Sequence, residues 1–142
     1  MRYSIAILAS VLLFSGCKQA EKEADKELVY DMYQPSEMSL LMQQMYEHNQ
    51  KIKEVILSGE TPTDFPEDFL KIHTAELSSF KSRNETFEGF SHLFVESEKQ
   101  IFSDSSEVDL KDRYNNTINL CISCHQTECT GPIPKIKKLL IP

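Results

Sequence analysis

The sequence predicts an all-α protein, and more specifically a four-helix bundle. Glycine and proline are scarce, with 4 and 6 among 142 residues, while good helix formers such as Glu, Lys, Leu and Met are common. Apolar side chains recur at spacings of three and four residues in several separate segments, which is the period of an amphipathic helix. Because short connections join these segments, we expect neighbouring helices to pack against each other.

The N-terminal segment has the layout of a secretory signal peptide. Arg2 gives it a positive start, residues 5–14 form an almost unbroken apolar run, and two small residues lead into Cys17. The apolar run is too short to cross a bilayer as a stable helix. The segment looks like a bacterial lipoprotein signal, in which residues 1–16 are removed and Cys17 is lipidated, although Phe14 stands where Leu is commoner. We therefore expect an exported protein that a lipid anchors to a membrane, facing the periplasm.

The chain after the signal divides into a tether and one domain. Residues 17–34 are rich in charged side chains and poor in large apolar ones, so we expect a solvated spacer. Residues 35–142 are enough for one helical domain with a single core. Lys18 stands where an inner-membrane lipoprotein would carry Asp, and this favours the outer membrane.

The acidity of the chain argues against nucleic acid as a partner. The formal net charge is −7, and loss of Arg2 with the signal peptide makes it −8. Binding to nucleic acid is driven by the release of counterions from phosphates, which needs a basic surface. Since the sequence also contains no recognisable triad, acid–base pair or phosphate-binding loop, we do not expect an enzyme.

The first two predicted helices occupy residues 35–58 and 67–78. In the first, Pro35 suits the opening turn and Gly59 suits the position just after the last turn. Its apolar stripe consists of Met38, Leu41, Met42, Met45, Ile52, Val55 and Ile56. The second, shorter helix presents Phe69, Ile72, His73 and Leu77.

The third and fourth predicted helices follow after two polar connections. Ser82 and Glu85 match a capping box, so a helix should begin at Ser82 and run to about Phe102. Its apolar face is formed by Phe87, Phe90, Phe94 and Ile101. The fourth helix should span residues 108–126, with the Gly-Pro pair at 131–132 preventing its continuation.

A CxxCH motif, Cys121-Ile122-Ser123-Cys124-His125, lies near the end of the fourth predicted helix. Two thiols one helical turn apart can reach both vinyl groups of a haem and form thioethers. The adjacent histidine then binds the iron as its proximal ligand. In an exported protein this motif is typical of covalent haem attachment, so the sequence predicts one haem c held by Cys121, Cys124 and His125.

Two other kinds of site share part of this pattern. A CxxC redox disulfide usually opens a helix in a strand–helix–strand setting, whereas this pair closes a helix in an apparently all-helical chain. A zinc or iron–sulfur site would draw on Cys121, Cys124, His125 and Cys129. Adjacent Cys124 and His125 are poorly placed to face one tetrahedral ion, and the sequence has no second CxxC.

The position of the motif on the last helix resembles that in the cytochrome c′ superfamily, whose members are four-helix bundles. The resemblance covers residues 35–126, and within it only CxxCH is specific. It implies that the first helix crosses the distal face of the haem, with a bulky apolar residue in five-coordinate members or a Met in low-spin ones. The chain departs from the family at Gln34, where Arg is common, and after His125, where the helix usually continues. Its tail is similar to that of lipoprotein cytochromes from the Bacteroidetes group.

A methionine ligand on the distal side must come from upstream, because no Met follows His125. Alignment with the family's first helix puts Met38 at the distal position. Met42 and Met45 lie on the same predicted stripe and are alternatives, although core packing is the simpler role for each of the three. His73 is a rival ligand that would make the iron bis-histidine, and for it too a packed side chain is the simpler interpretation.

Two further features lie beyond the motif. Cys129 is left over once the lipid and the haem have used three cysteines, and a free thiol, a disulfide to another chain or a contact at the haem edge all remain open. Lys135, Lys137 and Lys138 form a small basic cluster. The simpler expectation is a solvated tail, in which this cluster has no specific role. Folded over the haem crevice, the cluster would steer an acidic partner or offset the haem propionates.

These features predict a lipid-anchored monohaem c-type cytochrome that carries single electrons between periplasmic redox proteins. The alternative is a gas-binding or sensing haem protein, in which an open or displaceable distal position takes up NO or CO. Iron ligation and spin state discriminate between these two functions. The sequence leaves open whether the protein is a monomer or a dimer.

Overall fold

The computed structural model describes residues 34–142, which form an all-α fold. Its three long helices are α1 at Glu37–Leu57, α2 at Glu85–Ile101 and α3 at Leu110–Glu128. A 3₁₀ helix at Glu67–His73 lies between α1 and α2, and a short helix α4 at Ile133–Ile136 and a 3₁₀ turn at Lys137–Leu139 follow α3. Since no strand occurs within residues 34–142, the all-α prediction is confirmed.

Local signals in the sequence set both ends of α1. Ser36 caps its first turn, since the Ser36 Oγ accepts a hydrogen bond at 3.2 Å from the amide three residues later. At the other end Gly59 has a φ of +82°. The amides of Gly59 and Glu60 donate to the carbonyls of Ile56 and Val55, which is the Schellman arrangement. The predicted position of Gly59 just beyond the helix is confirmed, because glycine adopts this left-handed conformation without strain.

The predicted α-helix at residues 67–78 is wrong in type and in length. The chain forms a seven-residue 3₁₀ helix, Glu67–His73, instead. Beyond it the Arg83 guanidinium donates to the carbonyls of Ile72 and Ala75 at 2.8 and 2.9 Å. These are carbonyls that a longer α-helix would use for its own hydrogen bonds, so a contact distant in the sequence ends the segment early.

The predicted start of α2 and the predicted ends of α3 differ from those in the structure. Asn84 caps α2 in place of Ser82, since the Asn84 Oδ1 accepts a hydrogen bond from the Phe87 amide at 2.7 Å. Asp109 caps α3 in the same way, and α3 continues to Glu128, two residues past its predicted end. Asn and Asp are at least as effective as Ser in this position, so the capping-box match at Ser82 was misleading.

Two groups of buried side chains form the core, and Cys121 packs against both. The first group joins the start of α1 to the 3₁₀ helix and α2, and includes Met38, Leu41, Met45, Phe69, Ile72, Phe87 and Phe94. The second joins the end of α1 to α3 and the residues that follow it, and includes Ile52, Ile101, Tyr114, Ile118, Ile122, Ile136, Leu139 and Ile141. Cys121 on α3 therefore lies where the two groups meet.

The segment after α3 is folded onto the domain. Its side chains Ile136, Leu139 and Ile141 are buried in the second core group. The Asn115 side chain donates to the Ile141 carbonyl and accepts from the Ile141 amide, each at 2.9 Å. Lys53 on α1 donates to two backbone carbonyls of the same segment. The simpler expectation of a solvated tail is wrong, because these apolar side chains remove a substantial surface from water.

The predicted signal peptide, the lipidation of Cys17 and most of the tether fall outside the described residues and stay predictions. Residues 34–142 form one compact unit. In the part of the chain that the structure describes, no helix combines the length and apolar character needed to span a membrane.

Candidate haem-binding site

A cavity of about 510 Å³ lies between α1, α2, α3 and the segment after α3. This volume is within the range of sites that bind cofactors and other small molecules, roughly 300–1,000 Å³. The wall is mainly apolar, with contributions from Ile72, Phe87, Phe90, Phe94, Ile118 and Leu139. A few polar groups interrupt it, among them Asn49 and Ser91. The transfer of a large, mostly apolar cofactor from water into this cavity would therefore cost little free energy.

Cys121, Cys124 and His125 all lie on the wall of this cavity. They occupy the last two turns of α3, where residues three and four positions apart share one helix face. Both cysteines are half-buried residues, and neither is in a disulfide within residues 34–142. The structure thus brings the three predicted attachment residues together at one place.

Burial keeps both thiols of the motif protonated. Desolvation raises the pKa of Cys124 to about 11, and it raises the pKa of Cys121 as well, with a further contribution from the charge of Glu98. Redox-active CxxC pairs depend instead on an attacking thiolate, which a lowered pKa favours. Across the described part of the chain, no three His, Cys, Asp or Glu side chains are grouped so that they could hold a metal ion.

His125 is oriented by the backbone just beyond α3. Its Nδ1 lies 2.9 Å from the carbonyl oxygen of Cys129, and because a carbonyl only accepts, Nδ1 must carry the proton. The neutral ring then has its lone pair on Nε2, the nitrogen that is free to bind iron. Metal-binding histidines are commonly held by such a bond from the other ring nitrogen. The residues that depart from the cytochrome c′ pattern therefore supply a hydrogen-bond partner for His125.

Cys129 contributes to this arrangement through its backbone. Its thiol is exposed, whereas its amide donates to the His125 carbonyl at 3.1 Å and its carbonyl accepts from the His125 ring. Residues 125 and 129 are thus linked twice across the end of α3. This contact was not predicted from the sequence, although a spacing of four residues at a helix end, followed by the Gly-Pro pair at 131–132, was a signal for it.

The three candidate methionine ligands occupy different places. Met42 and Met45 line the cavity, whereas Met38 is not among the described residues that do so. Met38 is only 6% exposed, belongs to the first core group, and its amide donates to the Glu76 carbonyl at 2.9 Å. Met42 is half-buried and packs against that group from its edge. Met42 and Met45 are therefore better placed than Met38 to meet a group inside the cavity.

His73, the rival distal ligand, belongs to a pair of histidines. Its ring stacks on that of His92 with the centroids 4.4 Å apart, and its Nδ1 lies 3.2 Å from the Ser91 Oγ. Desolvation lowers the pKa of His73, and the nearby charges of His92 and Arg83 lower it further. Of the described residues around it, Ile72 and Ser91 line the cavity, but His73 does not.

A buried carboxyl group close to the motif was missed by sequence analysis. Glu98 on α2 is 0% exposed, and neither of its carboxyl oxygens has a hydrogen-bond partner among residues 34–142. Desolvation raises the pKa of Glu98 to about 8, and a polar interaction with the Asn49 side chain, which lacks the geometry of a full hydrogen bond, opposes this rise only in part. The charge of Glu98 in turn raises the pKa of Tyr114 and of Cys121. These four side chains therefore lie close together.

The buried polar side chains are connected to α1. The Tyr114 hydroxyl donates to the Asn49 carbonyl at 2.9 Å, and the Asn49 side-chain amide donates to the Met45 carbonyl at 3.2 Å. Asn49 also lines the cavity, so it links Glu98 to the cavity wall. Glu98 lies four residues after Phe94 on the apolar stripe of α2, and this spacing was the signal in the sequence for its burial.

One member of the basic cluster reaches the cavity. The Lys135 Nζ lies 4.1 Å from the centroid of the Tyr46 ring, which is a favourable position for a cation, and both residues line the cavity. Lys137 and Lys138 are exposed and are not among the lining residues that the structure describes. Lys135 is therefore the cation of the cluster that faces a group bound in the cavity.

The donor set on the cavity wall fits a covalently attached haem. It consists of two neutral thiols one turn apart and an imidazole whose Nε2 lone pair is free, beside an apolar cavity of sufficient volume. The same set suits a redox disulfide less well, because that chemistry needs a thiolate. It suits zinc less well because the described residues include no three ligands grouped so that they could hold a metal ion. No protein-family model, curated protein or solved structure matches the chain.

Proposed function

We propose that this protein is a membrane-anchored monohaem c-type cytochrome that carries single electrons between periplasmic redox proteins. The observation that carries the proposal is the cavity wall on which Cys121, Cys124 and His125 meet. On this wall the thiols are neutral and the histidine ring is held in one tautomer. We propose no catalytic role, because an electron carrier needs a held cofactor and a reachable edge but no acid–base pair.

Each residue of the motif has one role in this proposal. Cys121 and Cys124 hold the cofactor through thioether bonds, which form when each S–H adds across a vinyl group. His125 binds the iron through Nε2, while the Cys129 carbonyl fixes the orientation of the ring. A haem held in this way supplies a one-electron couple, whose potential depends on the axial ligands and on burial.

The cavity wall sets the conditions for electron transfer. Phe87, Phe90 and Phe94 keep water away from one side of the cavity, so charge there is stabilised less than in solvent. Cys124 and His125 are only half-buried, which leaves that end of the cavity within reach of another protein. Lys135 at the rim favours an acidic patch on the redox partner.

The cytochrome c′-like four-helix bundle is part of the proposal. Two features support it: the motif lies at the end of the last long helix, and α1 contributes to the cavity wall. The Glu67–His73 3₁₀ helix then stands where the second helix of such a bundle is expected. The tethered, lipidated N-terminus completes the proposal and places the domain close to its membrane.

We propose Met42 as the sixth iron ligand, with Met45 as the alternative on the same wall. Both line the cavity, but Met45 is 6% exposed and is packed within the first core group, whereas Met42 is packed only at its edge. The thioether of Met42 is therefore freer to move toward a bound iron. Met38 remains the ligand that alignment with the cytochrome c′ family predicts.

A pyridine haemochrome spectrum tests the proposal. Protein produced together with the haem-attachment machinery should give the absorption band of a c-type haem, and the haem should resist extraction with acidified acetone. The double substitution Cys121→Ala and Cys124→Ala should remove this covalent haem, whereas Ser123→Ala, between the two thiols, should keep it. Wild-type protein without a c-type band would overturn the proposal.

The spin state separates electron transfer from the gas-binding alternative. Low-spin iron in both oxidation states, with the near-infrared band of a methionine ligand, is expected for the electron carrier. High-spin ferrous iron that binds CO or NO on mixing would instead support a gas-binding protein with an open distal position. The measurement needs only the purified wild-type protein in its ferric and ferrous forms.

A further inference from the structure

We infer that Glu98 binds one proton when the haem iron is reduced and releases it when the iron is oxidised. Electron transfer by this protein would then be coupled to proton transfer through a side chain of the protein core. The inference rests on the proposed haem function and adds to it a group on α2 that no part of the CxxCH motif includes.

The first support is the isolation of the Glu98 carboxyl. It is 0% exposed, and neither oxygen has a hydrogen-bond partner within the described residues. A charged carboxylate in such a place is strongly disfavoured unless it is paired, so the group changes its charge readily when a nearby charge changes. The Asn49 Oδ1 also has no partner there, and a proton on Glu98 would offer it a donor.

The second support is the closeness of Glu98 to the candidate site. Its charge raises the pKa of Cys121, one of the two thiols that would hold the haem. Asn49, which lies beside Glu98, lines the cavity itself. Glu98 thus lies next to two residues of the cavity wall, and in a medium of low polarity a charge inside the cavity acts strongly on such a neighbour.

The other groups around Glu98 do not compensate its charge. From α1 it meets the neutral Asn49, and from α3 it meets the hydroxyl of Tyr114 and the thiol of Cys121, whose pKa values are both raised. The Arg113 guanidinium on α3 donates to the carbonyls of Gln100 and Ser103 rather than to Glu98. Attachment of haem would convert the Cys121 thiol to a thioether and leave Glu98 as the most acidic of these groups.

The basic side chains described on these elements have other partners. Lys135 of the segment after α3 lies over the ring of Tyr46, and Lys99 on α2 pairs with Glu96 on the outer face of that helix at 3.6 Å. His48, next to Asn49 on α1, packs edge-on against Phe69, and burial lowers its pKa. Glu98 is therefore the buried group that is able to balance a change of charge in the cavity.

The sign of the coupling follows from the charges. Reduction adds one electron from an external one-electron donor protein and removes one positive charge from the iron, so a proton from solvent binds a Glu98 oxygen. Oxidation returns the electron to an acceptor protein and the proton to solvent. Because the pKa of Glu98 is about 8 before any effect of the iron, the exchange falls in the neutral range of pH.

The midpoint potential as a function of pH tests the inference. For the wild-type haem protein we expect the potential to fall as the pH rises through neutrality, since reduction takes up a proton there. In Glu98→Gln, which keeps the shape and removes the titration, this fall should be lost. Glu96→Gln is the matched control, because Glu96 is on the same helix but exposed, and its potential should follow the wild-type curve. Equal slopes in the wild type and Glu98→Gln would overturn the inference.

Infrared difference spectra between the reduced and oxidised wild type give a second readout that needs no variant. We expect a protonated-carboxyl band in the reduced state that shifts in D₂O, and its absence would also overturn the inference. Failure of the proposed function is recognised separately, because the protein would then show no c-type haemochrome band. A protein with that band and a potential independent of pH would keep the haem function and exclude the role of Glu98.

Discussion

The ring of His125 is held by residues that the cytochrome c′ family does not share. The Cys129 carbonyl that accepts from its Nδ1 follows directly on the end of α3, where the family pattern would continue the helix. Because the extended backbone at Cys129 turns that carbonyl toward the imidazole, the unusual sequence after the motif has a structural purpose. An i, i+4 contact of this kind fixes the tautomer without a second conserved side chain.

Met42, the proposed sixth iron ligand, gives a prediction at the scale of single residues. Substitution Met42→Leu should abolish the near-infrared methionine–iron band, because it removes the thioether that lies on the cavity wall. Met38→Leu is the matched control, since it makes the same chemical change in the first core group and should keep the band. Such volume-conserving changes cost less than about 1.5 kcal/mol, so both variants should fold. Loss of the band in Met38→Leu alone would show that the family alignment, rather than the cavity, identifies the ligand.

The residues of the site differ in how well the sequence could predict them. Cys121, Cys124 and His125 are contiguous and chemically distinctive, so their meeting on one helix face follows from helical periodicity. Glu98 gave only a weak signal, its spacing of four residues from Phe94, because a Glu among apolar residues is usually exposed at the edge of a stripe. Its burial depends on how α1 and α3 pack against α2, which is a tertiary fact.

At the scale of helices, periodicity located α1, α2 and α3, while competition between local and distant contacts decided their limits. The prediction failed for Glu67–His73 because Arg83, ten residues beyond the 3₁₀ helix, binds carbonyls at its end. No window of sequence around residue 70 contains that information. The end of α1 was easier, since Gly59 carries its own conformational signal.

The residue that caps the N-terminus of α2 can be tested by substitution. Asn84→Ala should lower the free energy of unfolding by about 1 kcal/mol, because the Phe87 amide loses its side-chain acceptor. Ser82→Ala should leave it nearly unchanged, since Asn84 rather than Ser82 is the capping residue. Urea unfolding of the two variants beside the wild type provides the measurement. A larger loss for Ser82→Ala would favour the capping box predicted from the sequence.

At the scale of the whole molecule, the segment after α3 completes both the second core group and the cavity. Ile136 and Leu139 are buried in that group and also line the cavity, and Lys53 on α1 binds carbonyls of the same segment. The expectation of a solvated tail failed because apolar residues spaced two and three positions apart over so few residues give only a weak helical signal. Their burial is visible only when the other helices are in place.

Truncation of these side chains should therefore affect stability and cofactor retention together. Leu139→Ala should lower the free energy of unfolding by roughly 2–5 kcal/mol, as is usual for a buried leucine. It should also lower the yield of protein with covalent haem. Lys137→Ala changes an exposed residue of the same segment and should leave both properties near wild type. Normal stability in Leu139→Ala would show that the segment is not part of the core.

The position of this segment after the CxxCH motif also has a consequence for the order of haem attachment and folding. Ile136, Leu139 and Ile141 follow the CxxCH motif, so in the export that we propose, from the N-terminal end, they would emerge after Cys121, Cys124 and His125. The cavity would thus still be open at the moment when the thiols first become available on the far side of the membrane. Attachment of the proposed haem would then have a limited period before the last side chains close over the cavity, and maturation would become a competition between haem attachment and folding.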